Sequence, residues 1–304
     1  MVEWYYVEGK TPHTLDGNSV YLKKGAIDGI VQGRFADCDI AVRSNIGIKR
    51  KKNQDSFGIS PEGRSLVVPD GMGGYEDGES AAELASQSVA RPMNPGEKYD
   101  LVARLLGADE KIKSQFKGAG AAIGAVHINE RGVLFPYHVG DVRLYVFDEN
   151  KKLRYITIDH SLVAKKLEDG SIKDEASFRD RNVILRAIGA LVRDEDIDEY
   201  ILTIPNFTDN GRLKGRAELF VESVPLKSGW RWMIADDGLH DFVNQRYIID
   251  SFQRYEKAED IVNNLVDMAN NEEIKAPDNI TIAVGIYSPT EEVEEETGEI
   301  NTIG

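Results

Sequence analysis

The feature that most constrains this chain is an aspartate placed beside glycine or asparagine at the border of a short apolar run. Asp70-Gly71 comes shortly after Leu66-Val67-Val68, and Asp236-Asp237-Gly238 comes shortly after Trp232-Met233-Ile234. Asp278-Asn279 stands directly before a third apolar run. A carboxylate at the border of a buried strand is costly unless it is paired or bound to a cation. The chain must therefore fold so that these groups find partners.

A fourth acidic position, Asp55 in Asn53-Gln54-Asp55, follows the basic run Lys49-Arg50-Lys51-Lys52. No histidine or cysteine stands among these aspartates, so they predict an all-oxygen site. Such a site suits Mg²⁺ or Mn²⁺ in octahedral geometry. Glycine beside Asp70 allows the backbone carbonyl groups to approach a bound ion.

The hydrophobic pattern predicts a strand-rich chain with a few helices. Helical periodicity covers 79–90, 101–116 and 259–269, and Asp100 is placed to cap the second of these helices. Strands come in adjacent pairs joined by short turns, and the helices are grouped apart from them. This order favours an α+β fold with antiparallel hairpins. The predicted strands are 66–68, 121–126, 133–138, 143–147, 219–221, 230–234 and 280–286.

Composition excludes several classes of protein. A net charge of -15 argues against nucleic acid as the main partner, because binding to it depends on Lys and Arg neutralising phosphates. The single cysteine, Cys38, excludes a disulfide framework or a Cys-rich zinc site and suits a reducing compartment. The first ten residues lack the pattern of a signal peptide, and no stretch is apolar enough to cross a bilayer. We therefore expect a cytoplasmic protein without a membrane partner.

The length of 304 residues predicts one large domain or two small ones. Residues 1–37 show no sustained periodicity and are expected to form an irregular arm. Residues 38–287 form the expected catalytic domain. Residues 288–304 carry many glutamates and no basic residue, which predicts a disordered, solvated tail.

Each motif taken alone has a simpler interpretation. Asp237-Gly238 and Asp278-Asn279 are individually more often turns, and a basic run such as Lys49 to Lys52 is more often a solvated surface. Asp70-Gly71-Met72-Gly73-Gly74 is more specific, because it would make a poor ordinary hairpin. The order and spacing of the motifs together favour a functional site.

In that order the motifs resemble the metal-dependent serine/threonine protein phosphatases of type 2C, also called the PPM family, in their bacterial form. The resemblance extends from about residue 40 to residue 287. The matching segments are Arg50 with Asn53-Gln54-Asp55, 68–74 with 78–82, 139–143, 157–161, 185–189, 237–239 and 278–281.

This resemblance implies two packed antiparallel β-sheets flanked by helix pairs, with two Mn²⁺ or Mg²⁺ ions between the sheets. It implies that Asp70 bridges the ions and that the Gly71 carbonyl is a ligand of one of them. Asp237 and Asp278 would hold the other ion, and Asp55 would support the first, directly or through water. Two ions about 3.5–4 Å apart can activate water for in-line displacement at phosphorus. The expected reaction is hydrolysis of phosphoserine and phosphothreonine in proteins by that water.

The resemblance also implies that Arg50 binds the substrate phosphate, with Arg50, Asp55 and Asp70 forming the catalytic set. A further, weaker ion is expected between Asp141 and Asp237, unless Asp141 pairs with Arg143 instead. The expected partners are a phosphorylated protein substrate and a Ser/Thr kinase or its targets, and the expected state is a monomer.

Three positions depart from the family pattern. Pro69 precedes Asp70 where a small residue is usual, and Ala119 lies in Gly118-Ala119-Gly120 where Gly-Thr-Thr is usual. Asp236 replaces a small hydroxyl residue. These changes leave open an alternative function as a catalytically weak pseudophosphatase that serves as a regulatory binding module. Hydrolysis of a small phosphorylated metabolite is a third possibility, because substrate choice depends on variable loops.

Overall fold

The structure is a computed structural model that describes residues 4–7, 13–15, 19–21, 28–73, 77–92, 100–173, 183–190 and 223–289. The predicted strand 219–221 and the acidic tail from residue 290 onward lie outside the described residues. None of the helices in the described ranges is long and apolar enough to cross a membrane.

Strands are the most numerous elements of the described chain. In chain order they are β1 Trp4–Val7, β2 His13–Leu15, β3 Ser19–Tyr21, β4 Asp28–Phe35, β5 Cys38–Asn45, β6 Gly58–Ile59, β7 Ser65–Met72, β8 Gly120–Ile128, β9 Val133–Val139, β10 Arg143–Phe147, β11 Leu153–Ile156, β12 Val224–Pro225, β13 Arg231–Ala235 and β14 Ile280–Tyr287. The helices are α1 Asp77–Ala90, α2 Leu101–Gln115, α3 Leu162–Glu168, α4 Asp237–His240, α5 Gln245–Arg254 and α6 Ala258–Asn270.

The strands form two antiparallel sheets. Sheet I has the order β1-β4-β5-β14-β13-β10-β11, and sheet II has the order β12-β9-β8-β7-β6-β3-β2. In sheet I the long strand β14 pairs with β5 on one side and β13 on the other. The start of β14 and the end of β13 therefore lie side by side.

The apolar residues separate into layers. One buried cluster fills the space between the sheets, with Trp232 from sheet I and Leu66 from sheet II. A second packs α5 and α6 on the outer face of sheet I, and a third packs α1 and α2 on the outer face of sheet II. Successive side chains of a strand point to opposite faces, so Leu66 joins the central cluster while Val67 joins the outer one. The predicted α+β fold of two packed sheets flanked by helix pairs is confirmed.

The three predicted helices are confirmed within one or two residues at each end. The Asp100 side chain caps α2 as expected, because its carboxylate accepts a hydrogen bond from the backbone N–H of Ala103 at 3.0 Å. Both the apolar period and the capping residue are local signals, and this explains why sequence was sufficient here.

The arm expected to be irregular over residues 1–37 contains strands in its described parts, with β1 and β4 in sheet I and β2 and β3 in sheet II. Residues 28–35 form β4, which pairs along its whole length with β5. The connecting turn uses Ala36 and Asp37 with positive φ values of 44° and 63°. A tight hairpin turn of this kind usually carries glycine or asparagine, so the sequence signal was missing. The division into arm, catalytic domain and tail otherwise stays a prediction.

Candidate metal centre

The predicted aspartates converge where the two sheets meet. Asp55 and Asp70 form an isolated antiparallel bridge on the side of sheet II. The Thr281 hydroxyl at the start of β14 donates to the Asp55 carboxylate at 2.9 Å, which links the two sheets. The charges of Asp237 and Asp278, which stand next to strand ends of sheet I, act on Asp70 and help to raise its pKa. The structure therefore brings together acidic groups that are far apart in the sequence.

Gly71 allows this convergence on the side of sheet II. Its N–H donates to the Gln54 carbonyl at 3.1 Å, and a Cβ atom added to it would lie 2.2 Å from the Gly78 carbonyl oxygen. Any larger residue would push apart the Gln54 segment and the start of α1. Pro69 does not prevent pairing at this end of β7, because the Pro69 carbonyl still accepts a hydrogen bond from Ser56 N–H at 2.9 Å.

Asn279 fixes the loop that carries Arg50. The Asn279 side chain accepts from Gln54 N–H at 2.9 Å and donates to the carbonyl oxygens of Ile46 at 2.9 Å and Lys52 at 3.0 Å. This side chain thus ties both ends of the basic loop to the start of β14. Sequence reasoning named Asn279 only as part of an Asp-Asn motif and did not predict this role.

Arg50 lies at the edge of the acidic centre. One of its guanidinium nitrogens donates to the Asp278 carboxylate at 2.5 Å, while about half of the side chain is exposed. The hydrogen bond to Asp278 raises the pKa of Arg50 above its usual value. A guanidinium held in this way keeps further donors for an anionic ligand.

A chain of buried hydroxyl and amide groups supports Asp55. Asn53 Nδ2 donates to Ser44 Oγ at 2.8 Å, and Ser44 Oγ lies 2.8 Å from Thr281 Oγ1, which donates to Asp55. The Asn53 side chain also accepts the Asp55 N–H at 3.1 Å. All of these groups are buried. Sequence reasoning missed Ser44 and Thr281, because only the pairing of β5 with β14 places them together.

Asp141 is not paired with Arg143. The Arg143 guanidinium makes two hydrogen bonds to Asp159, at 2.7 and 2.6 Å. The buried Asp141 Oδ1 has no hydrogen-bond partner among the described residues. The backbone carbonyl of Asp141 accepts a hydrogen bond from His240 Nε2 at 2.9 Å. Asp141 thus remains available to a cation.

Asp241 is a further acidic residue that sequence reasoning missed. It follows Asp237 by four residues, and its charge contributes to the raised pKa values of both Asp141 and Asp237. Residues four apart lie on the same face of a helical turn, and this spacing was the available signal.

His138 and His160 pack against each other next to the segment that carries Asp141. Their rings stack with centroids 4.4 Å apart. His138 Nε2 contacts the Ile158 carbonyl at 2.7 Å, and His160 Nδ1 accepts from Gly140 N–H at 3.1 Å. His160 thereby holds the residue before Asp141.

Burial and mutual repulsion disturb the ionisation of these carboxyl groups. Burial is the largest cause in every case, and it raises the pKa of Asp55 to about 6, of Asp141 to about 7 and of Asp237 to about 8. The pKa values of Asp70 and Asp236 are raised well above the usual range, again by burial and then by neighbouring carboxylates. Such a concentration of perturbed acids is typical of a functional site.

The donor set fits hard divalent cations. Two buried carboxylate oxygens, Asp141 Oδ1 and Asp236 Oδ1, have no hydrogen-bond partner in the described part of the chain. All side chains at the centre offer oxygen, as Mg²⁺ and Mn²⁺ prefer. No three His, Cys, Asp or Glu side chains of the described ranges already form a ready-made cage. The fit of a divalent cation therefore rests on these two buried oxygens and on the preference of Mg²⁺ and Mn²⁺ for oxygen ligands.

Comparisons with known proteins agree with this chemistry. No protein-family model matches the chain. The serine/threonine protein phosphatase PstP of Mycobacterium tuberculosis is 27% identical over 258 residues, which cover 80% of this chain and 44% of that protein. A putative protein phosphatase of type 2C from Streptococcus pyogenes is 28% identical over 274 residues, which cover 84% of this chain and 99% of that protein.

The fold has solved counterparts. The catalytic domain of PstP, crystallised in complex with two manganese ions, superposes with a TM-score of 0.63 at 25% identity, over 82% of this chain and 98% of that one. The chain spans less than half of the length of full PstP, but nearly all of its catalytic domain. In sequence and in fold, the chain is confirmed as similar to the bacterial metal-dependent serine/threonine phosphatases of type 2C.

Proposed function

We propose that the protein hydrolyses phosphoserine and phosphothreonine in proteins at a centre of two Mn²⁺ or Mg²⁺ ions. The observation that carries the proposal is the convergence of Asp55, Asp70, Asp237 and Asp278 beside one guanidinium, that of Arg50. The matching PstP catalytic domain binds two manganese ions, which supports the same cofactors here.

The residues of this chain take distinct roles in the proposal. Asp70 would hold both ions, and the Gly71 carbonyl would be a ligand of one of them. Asp237 and Asp278 would hold the other ion, and Asp55 would support the first, directly or through water. When bound, the ions would activate water and clamp the oxygens of an in-line displacement at phosphorus.

Arg50 would bind the substrate phosphate. Its side chain is held at the rim by Asp278 and by the loop that Asn279 fixes. A guanidinium is always charged and can form paired hydrogen bonds to phosphate oxygens. Arg50 would therefore orient the phosphate before and during the displacement.

A third, weaker cation between Asp141 and Asp237 is part of the proposal. Support comes from the partnerless Asp141 Oδ1 and from the engagement of Arg143 by Asp159, which leaves Asp141 without that competitor. Asp241 adds negative charge on the same side. Cytoplasmic location, a monomeric state and a partner Ser/Thr kinase remain further proposals.

Turnover with a metal ion tests this function. The full chain should hydrolyse p-nitrophenyl phosphate and phosphothreonine peptides with Mn²⁺ and lose that activity in EDTA. Asp70→Ala should abolish turnover, whereas Asp250→Ala on the exposed side of α5 should not. Full activity in EDTA, or in Asp70→Ala, contradicts the metal mechanism. A wild-type protein that binds Mn²⁺ without any turnover would instead favour the pseudophosphatase alternative.

A further inference from the structure

Asp236 is a fully buried carboxylate that the family motifs do not require. It lies between the end of β13 and the start of α4, with 0% of the residue exposed. Its Oδ2 atom accepts a hydrogen bond from Thr281 N–H. Its Oδ1 atom, also buried, has no hydrogen-bond partner among the described residues. One oxygen is therefore structurally occupied and the other is available.

The surroundings of Asp236 are acidic. Its side chain is within hydrogen-bonding reach of Asp55, and the charges of Asp70 and Asp237 also act on it. Arg50, the cation at the rim, is engaged by Asp278 instead. A buried carboxylate that faces other carboxylates is strongly disfavoured unless it takes up a proton or a positive charge lies between them.

The structural bond alone does not explain an aspartate here. A hydroxyl or an amide oxygen could accept the Thr281 N–H equally well without burying a charge. What the carboxylate adds is a second, buried oxygen that can carry negative charge, on a side chain within hydrogen-bonding reach of Asp55. A cation bound in the acidic centre would use that oxygen as a ligand.

We propose that Asp236 is an additional ligand of the cation on the Asp55 side of the centre, bound through Oδ1. The inference rests on the metal centre of the proposed function and adds one carboxylate to the ligands that the motifs imply. With one more negative charge among its ligands, the centre should hold divalent cations more tightly than it would with a neutral residue at position 236.

The binding of Mn²⁺ alone to the full chain tests this assignment. Asp236→Asn keeps an oxygen that can accept the Thr281 N–H and removes the charge, and Asp236→Ser keeps a hydroxyl. Both should bind at least one Mn²⁺ about tenfold or more weakly in calorimetric titrations, within the range that lost metal-site interactions produce. The count of bound Mn²⁺ by electron paramagnetic resonance, at a fixed low metal concentration, should fall in parallel. Asp250→Asn, an exposed acid on α5, is the matched control and should bind like wild type.

Thermal unfolding in EDTA separates loss of a ligand from loss of the fold. Both variants should melt no lower than wild type in EDTA, because an acid buried among other acids has been removed, and should gain less from added Mn²⁺. If Asp236→Asn and Asp236→Ser bind Mn²⁺ as tightly as wild type, the assignment is wrong. If wild type binds Mn²⁺ and both variants weaken it, but no phosphatase activity exists, the assignment stands and the proposed function fails. If wild type binds no Mn²⁺ at all, both fail.

Discussion

Replacement of Asn279 by leucine should loosen the loop that carries Arg50. The substitution keeps the approximate size of the side chain but removes its hydrogen bonds to Gln54, Ile46 and Lys52. Each bond contributes about 1 kcal/mol net, so the loss amounts to about 3 kcal/mol of the free energy of unfolding. Urea unfolding monitored by circular dichroism in EDTA measures this loss. With Mn²⁺, the KM for a phosphothreonine peptide should rise more than kcat falls, because the position of Arg50 is disturbed.

Asn129→Leu provides the matched control. The Asn129 side chain accepts from the N–H groups of Arg131 at 2.9 Å and Val133 at 3.0 Å, and so fixes the turn between β8 and β9. Its loss should reduce stability and leave KM unchanged. Asn279→Asp is an intermediate case, since a carboxylate accepts from Gln54 but cannot donate to the two carbonyls. Unchanged stability in Asn279→Leu, or an equal change of KM in Asn129→Leu, would refute the reasoning.

Three further predictions concern the charged groups. Arg50→Ala should raise the KM for phosphopeptides about tenfold or more, because hydrogen bonds to charged groups contribute about 1.5–3 kcal/mol, whereas Lys51→Ala should not; the reverse result would mean that the wrong cation was assigned. In EDTA the free energy of unfolding should fall as the pH rises from 7 to 8.5, and Asp237 alone should account for about 1 kcal/mol of this fall, because its folded pKa, about 8, exceeds the unfolded value and stability is lost as pH rises through it. Urea titrations across this range should show the fall in wild type and a flatter profile in Asp237→Asn, and stability that rises in wild type would contradict the assignment. Asp141→Ala should lose one weak Mn²⁺ binding event in calorimetry while the tighter events persist, and an unchanged number of ions would exclude the third site.

Local sequence was sufficient for three of the six helices and six of the fourteen strands in the described part of the chain, and it missed the other strands and the helices α3, α4 and α5. The periodicity of 101–116 and the capping Asp100 are properties of adjacent residues, and α2 appears where they predict it. The apolar runs of β8, β13 and β14 became strands with both faces buried, since each sheet packs against the other sheet on one face and against helices on the other. The hairpin β4–β5 was missed, because its turn at Ala36 and Asp37 carries no glycine and its pairing is stabilised by the neighbouring strand β14.

The same division applies to the candidate site. The aspartates could be identified from sequence because carboxylates beside glycine at strand borders are chemically conspicuous, and the order of the motifs pointed to the family. The partners of these aspartates could not be predicted, since they depend on the pairing of distant strands. The Thr281 hydroxyl, at the start of β14 in sheet I, meets Asp55 only because the two sheets pack against each other. In the same way, only the tertiary structure directs Arg143 to Asp159 rather than to Asp141. Sequence alone therefore determined which groups are proposed to carry the chemistry. The tertiary structure decided which of them are neutralised by protein partners and which, like Asp236 Oδ1, are left with a buried oxygen and no partner in the described part of the chain, because burial and contact are set by packing across the chain.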